Sequence, residues 1–260
     1  MALRRDRALI LRKTPYGESS LVVQVLTRHH GRVHLLAKGA YRSTSRYFCV
    51  LDFLDELSFE WSHSEGRELQ TLRSAGLEDR RRVIRTDVAR YRAANALLEL
   101  VELAARPSQV DEDLYDLTNR ALGALEDEHA AAELVLVAFE LRFLQVLGLA
   151  PALTVCASCA TEHPTRVERA GAPRVAFSAG AGGRLCLDCA REAKSSGRRV
   201  GTLPEKLIHD AERVRAGARD AQLSEDELAD VRRFVERFMD YHLETRPKSR
   251  RHAMRRGALR

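Results

Sequence analysis

Four cysteines set out the first chemistry this chain can do. Cys156-Ala157-Ser158-Cys159 and Cys186-Leu187-Asp188-Cys189 are two CxxC knuckles with 26 residues between them. Each knuckle turns two thiolates to one side of a tight turn, and two knuckles complete a tetrahedral set for Zn²⁺ that is closed to water. With no open coordination position, such a metal stabilises the segment that holds it and does not catalyse. A redox CxxC occurs singly in a βαβ context, which this Gly/Ala/Arg-rich stretch lacks. His163 is a candidate substitute ligand, although beside Pro164 it reads as a surface residue. Cys49 stands alone and reads as a buried small hydrophobe.

The second chemistry is electrostatic. The first fifty residues carry ten Lys/Arg against Asp6 and Glu18 only, a surplus of +8, and the charges sit on short alternating runs. Residues 51–244 carry a net −9, and the last sixteen residues carry seven basic residues and no acid. Cationic blocks of this kind hold polyanions, because each Lys or Arg laid against a phosphate releases condensed counterions; a solvated charged face is the plain alternative. Tyr41 and Tyr47, interleaved with Arg42 and Arg46, have the aromatic and basic pattern of a single-strand binder. Phe59 and Trp61 alternate on one run, but their neighbourhood is acidic and they read as core.

Stepping along the chain shows what must position these groups. Five strand-like runs, RALILRK, SLVVQVLTR, GRVHLLAKG, LDELSFEW and RELQTLRS, lie between residue 6 and about residue 75 and suggest a small barrel, 1–78. The stretch from Lys38 to Cys49 lacks periodicity and reads as a mobile basic loop. Helical periodicity follows over 79–104, 111–126 and 130–147, the last apolar nearly all round and therefore buried. Residues 151–200, the zinc-binding module, look irregular, with Ala179–Gly183 as a hairpin turn. Helices return over 204–216 and 224–243, the second opened by the capping box Ser224-Glu225-Asp226-Glu227. The expected layout is thus α+β and multidomain: a barrel, a mostly helical body over 79–150 completed by 201–244, an inserted four-cysteine module, and a basic tail over 245–260.

The chain of 260 residues is 45% hydrophobic and 31% charged, which describes a globular protein of two or three units. No apolar run approaches the roughly 18–20 residues that span a bilayer, and the first residues do not form a signal peptide; a cytoplasmic location is the default. Phosphate-loop, HExxH and GxSxG patterns are absent. The scattered carboxylates leave a metal-dependent nuclease as a minor alternative.

Taken together, Thr14-Pro15-Tyr16-Gly17-Glu18-Ser19-Ser20-Leu21, Leu26-Thr27 leading to Gly31-Arg32, then Ala37-Lys38-Gly39-Ala40 and Ser45 resemble the N-terminal signature of the RecO family of bacterial recombination mediators. The layout resembles that family over essentially the whole chain. The resemblance implies an OB-fold barrel and a non-enzymatic DNA repair protein that binds single- and double-stranded DNA and anneals complementary strands. It further implies work with RecR to load RecA onto DNA covered by single-stranded-DNA-binding protein (SSB), whose acidic, apolar C-terminal tail would bind an apolar pocket edged by a base. On this reading Arg12, Lys13, Arg32, Lys38, Arg42, Arg46, Tyr41 and Tyr47 form the main DNA surface. Arg80, Arg81, Arg82 and the tail arginines are secondary, and a nucleoid-associated place in the cytoplasm is expected. A zinc-containing transcription or RNA-binding factor is the alternative from another class.

Overall fold

The computed structural model describes residues 2–47, 49–162, 167–169, 172–217, 222–243 and 248–253. His163 and most of the basic tail lie outside them. Two compact units result, Met1–Ala132 with Pro247–Arg260, and Glu133–Arg246.

In the first unit β1 (Ala2–Tyr16), β2 (Ser20–Thr27), β3 (Gly31–Ala37), β4 (Glu56–His63) and β5 (Leu69–Asp79) close a barrel in the order β1-β2-β3-β5-β4. Closure depends on the length of β1. Its first half pairs with β4 and its second half with β2, the register shifting between Ile10 and Arg12, and such a bulge bends one strand into two sheet edges. The other unusual joint is parallel: His34, Leu35 and Leu36 of β3 lie beside Leu69, Gln70 and Thr71 of β5. Inward positions alternate as a barrel requires, with Ile10, Val23, Val25, Leu35, Leu57, Phe59 and Trp61 filling the interior.

The β2–β3 turn is fastened from below by Asp6. Its carboxylate accepts from His29 N at 2.7 Å, His29 Nδ1 at 2.9 Å and His30 Nδ1 at 3.0 Å, so both imidazoles carry a proton on Nδ1. Burial by itself would raise the Asp6 carboxyl, but the hydrogen bonds from His30 and His29 outweigh it and hold the group below its ordinary 3.8. A depressed folded value means that the ionised carboxylate stabilises the fold above pH 3.8 and that this contribution disappears as the pH falls through the lower folded value. Asp6→Asn is therefore expected to cost about 1.5–3 kcal/mol in urea unfolding at neutral pH. The gap from wild type should narrow below pH 3.8.

Helices α1 (Val83–Thr86), α2 (Val88–Ala104) and α3 (Glu112–Leu125) follow the barrel. The continuous helix expected from residue 79 is broken at Asp87, whose extended backbone and carboxylate form the N-cap of α2. Arg90, buried, donates to the carbonyls of Leu125, Asp127, Glu128 and Ala130 at 2.7–3.0 Å and so closes the C-terminal end of α3. Tyr115 of α3 donates to Glu56 of β4 at 2.8 Å, joining helix to barrel; burial and that bond push its phenol well above the ordinary range. Within the stretch expected as a basic tail, Lys248–Ala253 is helical and packs along α2, with Ser249 N donating to Glu99 at 2.7 Å.

The second unit contains α4 (Ala132–Val146), β6 (Val167–Arg169), β7 (Ala172–Ser178), β8 (Gly183–Leu185), α5 (Leu187–Ser195), β9 (Gly201–Pro204), α6 (Glu205–Ala216) and α7 (Glu225–His242). The segment read as irregular therefore holds a small sheet with β7 paired to β6, β8 and β9. The Ala179–Ala181 turn joins β7 to β8. Because β9 belongs to this sheet, the module extends past residue 200 to Pro204. The expected helical body is split between units: α2 and α3 stay with the barrel, while α4, α6 and α7 share a unit with the cysteines. Arg232 of α7 pairs with Glu133 of α4 at 2.7 Å, and Arg142 of α4 donates to the last carbonyls of α6. The capping box at Ser224 and Glu227 is complete. Among the described residues, no helix is long and apolar enough to cross a membrane.

Candidate nucleic-acid interface and metal centre

The parallel β3–β5 joint decides where charge collects. Lys38 leaves β3 two residues beyond Leu36, and Leu36 is opposite Thr71, so Lys38 arrives beside Arg73. The loop that follows is fixed onto the same strand: Tyr47 donates its hydroxyl to the Arg73 carbonyl at 3.1 Å, and Arg46 Nη2 donates to that carbonyl too. The result is a groove of about 680 Å³ whose charged lining is Lys38, Arg42, Arg46, Arg67 and Arg73, with no carboxylate. Five cations around one concavity without an acid attract a polyanion by their summed field and not through any one contact.

Four of the expected DNA residues, Lys38, Arg42, Arg46 and Tyr47, thus meet at the groove, and the others separate. Lys38, Arg42 and Arg46 line the groove, and Tyr41 is exposed nearby in sequence. Tyr47 has its ring in the barrel core, 7% exposed, where it anchors the loop and offers no free face to a base. Arg12 pairs with Glu102 of α2 at 2.6 Å, and Arg32 donates to the Glu102 carbonyl at 3.4 Å. Lys13 donates to Leu51 O at 3.1 Å and lies over the Phe53 ring. These three hold neighbouring structure and lie outside the groove lining.

The Arg80–Arg82 cluster resolves into unlike parts. Arg81 is 1% exposed and donates to Leu54 O and to Asn119, while its backbone N–H donates to Asp55 at 3.0 Å. Burial lowers its guanidinium from its ordinary value. Arg85 pairs with the same fully buried Asp55 at 2.8 Å, and Arg80 approaches it at 3.8 Å. The counter-ions of Asp55 are thus Arg85 and Arg80, as a charge buried where water is excluded requires, while the Arg81 guanidinium is spent inside the fold and approaches Asp79 at 3.8 Å; of Arg80, Arg81 and Arg82, the first and last are exposed. Cys49 is exposed, contrary to the buried hydrophobe expected.

Sequence reading missed Arg67 and Arg73. Averaging charge over residues 51–78 hid them inside an acidic stretch; the available signal was their place at the two ends of the RELQTLR run, which strand pairing carries to Lys38.

The four cysteines converge. Their Sγ atoms lie within 4.8 Å of one another, and among the described residues this is the one group of His, Cys, Asp and Glu close enough to hold a metal ion. Backbone pairing brings the knuckles together. Ala152 N donates to Gly182 O at 2.9 Å, Arg184 N to Ala152 O at 2.9 Å, and Ala157 N to Arg184 O at 2.8 Å. Gly183 permits that approach: its φ is +150°, and a Cβ there would stand 2.4 Å from the Ala152 carbonyl oxygen. Gly183→Ala should lower the melting stability of this unit by more than ~1 kcal/mol, with oligonucleotide binding by the barrel unchanged.

The donor set fits a tetrahedral ion. Cys159 Sγ and Cys186 Sγ are 3.9 Å apart, against the edge of about 3.8 Å that follows from a Zn–S distance near 2.3 Å. Backbone N–H groups already point at sulfur: Cys186 N donates to Cys156 Sγ at 3.4 Å, and Cys189 N to Cys186 Sγ at 3.5 Å. Hydrogen bonds from Thr161 draw the Cys159 thiol down to about 6. Cys186 is also the N-cap of α5.

A closed five-stranded barrel with an acid-free cationic groove, in one chain with four cysteines placed to hold a metal ion, has the features of the polyanion-binding class of protein. The family model described as recombination protein O, N terminal, matches residues 1–80, and that described as recombination protein O, C terminal, matches residues 85–251. The chain belongs to the recombination protein O family, and with that membership come DNA binding and a role in DNA repair and recombination.

Proposed function

We propose that this protein is a non-enzymatic recombination mediator that holds single- and double-stranded DNA along the Lys38–Arg73 groove and anneals complementary strands. The observation that carries the reading is the groove lining, five cations and no acid. Annealing opposes two polyanions and makes no covalent bond, so it needs a cationic surface to cancel their repulsion and no nucleophile or acid–base pair. In this reading Zn²⁺ fills the four-cysteine centre and supplies folding energy, and the protein works in the cytoplasm at the nucleoid. RecR is its partner in loading RecA onto SSB-coated DNA. Mixing the protein with complementary oligonucleotides tests the first part: annealing should proceed without Mg²⁺ or ATP and fall steeply with salt. Strand cleavage in Mg²⁺ would replace this reading with a nuclease.

We place the SSB tail in a groove of about 370 Å³ in the second unit. Phe177, Leu203, Leu207, Phe234 and Phe238 give it apolar walls, and at its side on α7 stand Arg237 and Arg233, the latter paired with Asp230 in the same lining. An acidic tail with apolar end residues needs both features, a slot for the side chains and a cation for the carboxylates. Arg237→Glu is expected to weaken binding of a labelled SSB-tail peptide at least tenfold in fluorescence anisotropy, with oligonucleotide binding unaltered.

A further inference from the structure

Arg67 borders two concavities on the barrel: the cationic groove and a second cavity of about 510 Å³. The second has a different chemistry. Four imidazoles, His29, His30, His34 and His63, line it together with Trp61. Its formal charges balance, Arg4 and Arg67 against Glu65 and Glu68, so it has no cationic surplus with which to compete for phosphate. Rings and mixed donors and acceptors instead suit a flat, polar, uncharged solute.

Several of these side chains are held in place. His29 and His30 are fixed through Nδ1 to Asp6, and the Gln70 amide is spent on Ser64 and Arg67 backbone groups. Two atoms of the lining residues lie behind the cavity surface. The indole Nε1 of Trp61 and Nε2 of His34 are both buried without a hydrogen-bond partner. Buried polar atoms of this kind are uncommon and call for an explanation. Burial, and after it Arg32, lowers the His34 imidazole from its ordinary value, which keeps one ring nitrogen as an acceptor and the other as a donor. The His30 ring stands edge-on to Trp61 with centroids 5.2 Å apart.

We propose that this cavity accepts one unstacked nucleobase of a single strand whose phosphates lie in the adjoining groove, the base turning in past Arg67 to meet the histidine rings that line it. The proposal rests on the groove reading above and adds base recognition to it. Single-strand binders gain affinity by receiving bases against aromatic rings while cations track the backbone.

Trp61 is the chain's one tryptophan, so tryptophan emission, excited beyond the tyrosine band, reports on this wall alone. An oligothymidylate and an abasic oligomer of the same length should both raise the anisotropy of a label with similar salt dependence. Only the oligothymidylate should change Trp61 emission. Val110, half exposed at the cavity edge, offers a plug: Val110→Phe should abolish the emission change and weaken oligothymidylate binding about tenfold, leaving the abasic oligomer bound as before. Unaltered abasic binding is the folding control, and His63→Leu is a second variant with the same expected pattern. Equal emission changes from both oligomers, or oligothymidylate binding with no change, would overturn the pocket and leave the groove standing. Loss of anisotropy with both oligomers would overturn the groove and the pocket together.

Discussion

Reversing Lys38 and Arg42 to glutamate is expected to weaken single-stranded DNA binding by about 100-fold at low salt and to flatten its salt dependence. The slope of log K against log salt is about −0.7 per phosphate contact on a single strand. A groove using all five of its cations should therefore lose roughly 100-fold in affinity over a fourfold rise in salt, and one reduced to three contacts only about 20-fold. Both residues are exposed, so stability should move by no more than ~0.5 kcal/mol, and unfolding curves separate the two effects. Arg12→Gln is the comparison, because that side chain pairs with Glu102 and lies outside the groove lining; it should leave the slope unchanged. An unchanged slope in the Lys38 and Arg42 double variant would remove the groove as the DNA site.

Loss of the ion from the four-cysteine centre should unfold its module while the barrel stays folded. Stabilisation at such sites is on the order of 10 kcal/mol, and little else is available to replace it. The apolar cluster beside the centre is made of Cys156, Ala176, Leu185, Ala190 and Ala193, small side chains that bury too little surface to hold a fold alone. Cys186→Ser is the sharpest variant. Serine keeps the N-cap of α5 but withdraws a thiolate, so only ligation is lost. The expected outcome is release of one equivalent of zinc per chain and rapid proteolysis within residues 151–204, with oligonucleotide affinity unaltered. A variant that retains its metal and its protease resistance would refute four-thiolate ligation.

The metal centre and the groove were legible in the sequence to different degrees. CxxC spacing is a local property, since two residues between cysteines already impose the turn that brings paired thiolates to one side, so the whole four-cysteine group could be read from Cys156, Cys159, Cys186 and Cys189 alone. The five barrel strands were equally legible, because alternation along a strand records which face is buried. The sheet of the metal module was not. Its strands β6 and β8 are three residues each and its core is mostly alanine, too short and too small to leave a period.

Charge blocks in the sequence determined that the N-terminal part of this protein is strongly cationic, and the cysteine spacing determined which four side chains could hold an ion. Which arginines form that surface was decided by the fold. Arg81 and Arg73 are both basic residues near the end of the barrel segment, yet one buries its guanidinium against Leu54 O and Asn119 and the other lines the groove. Sequence counts charges, whereas solvent and phosphate meet only those that strand pairing leaves outside. The β3–β5 joint, a contact between residues more than thirty positions apart, made that selection.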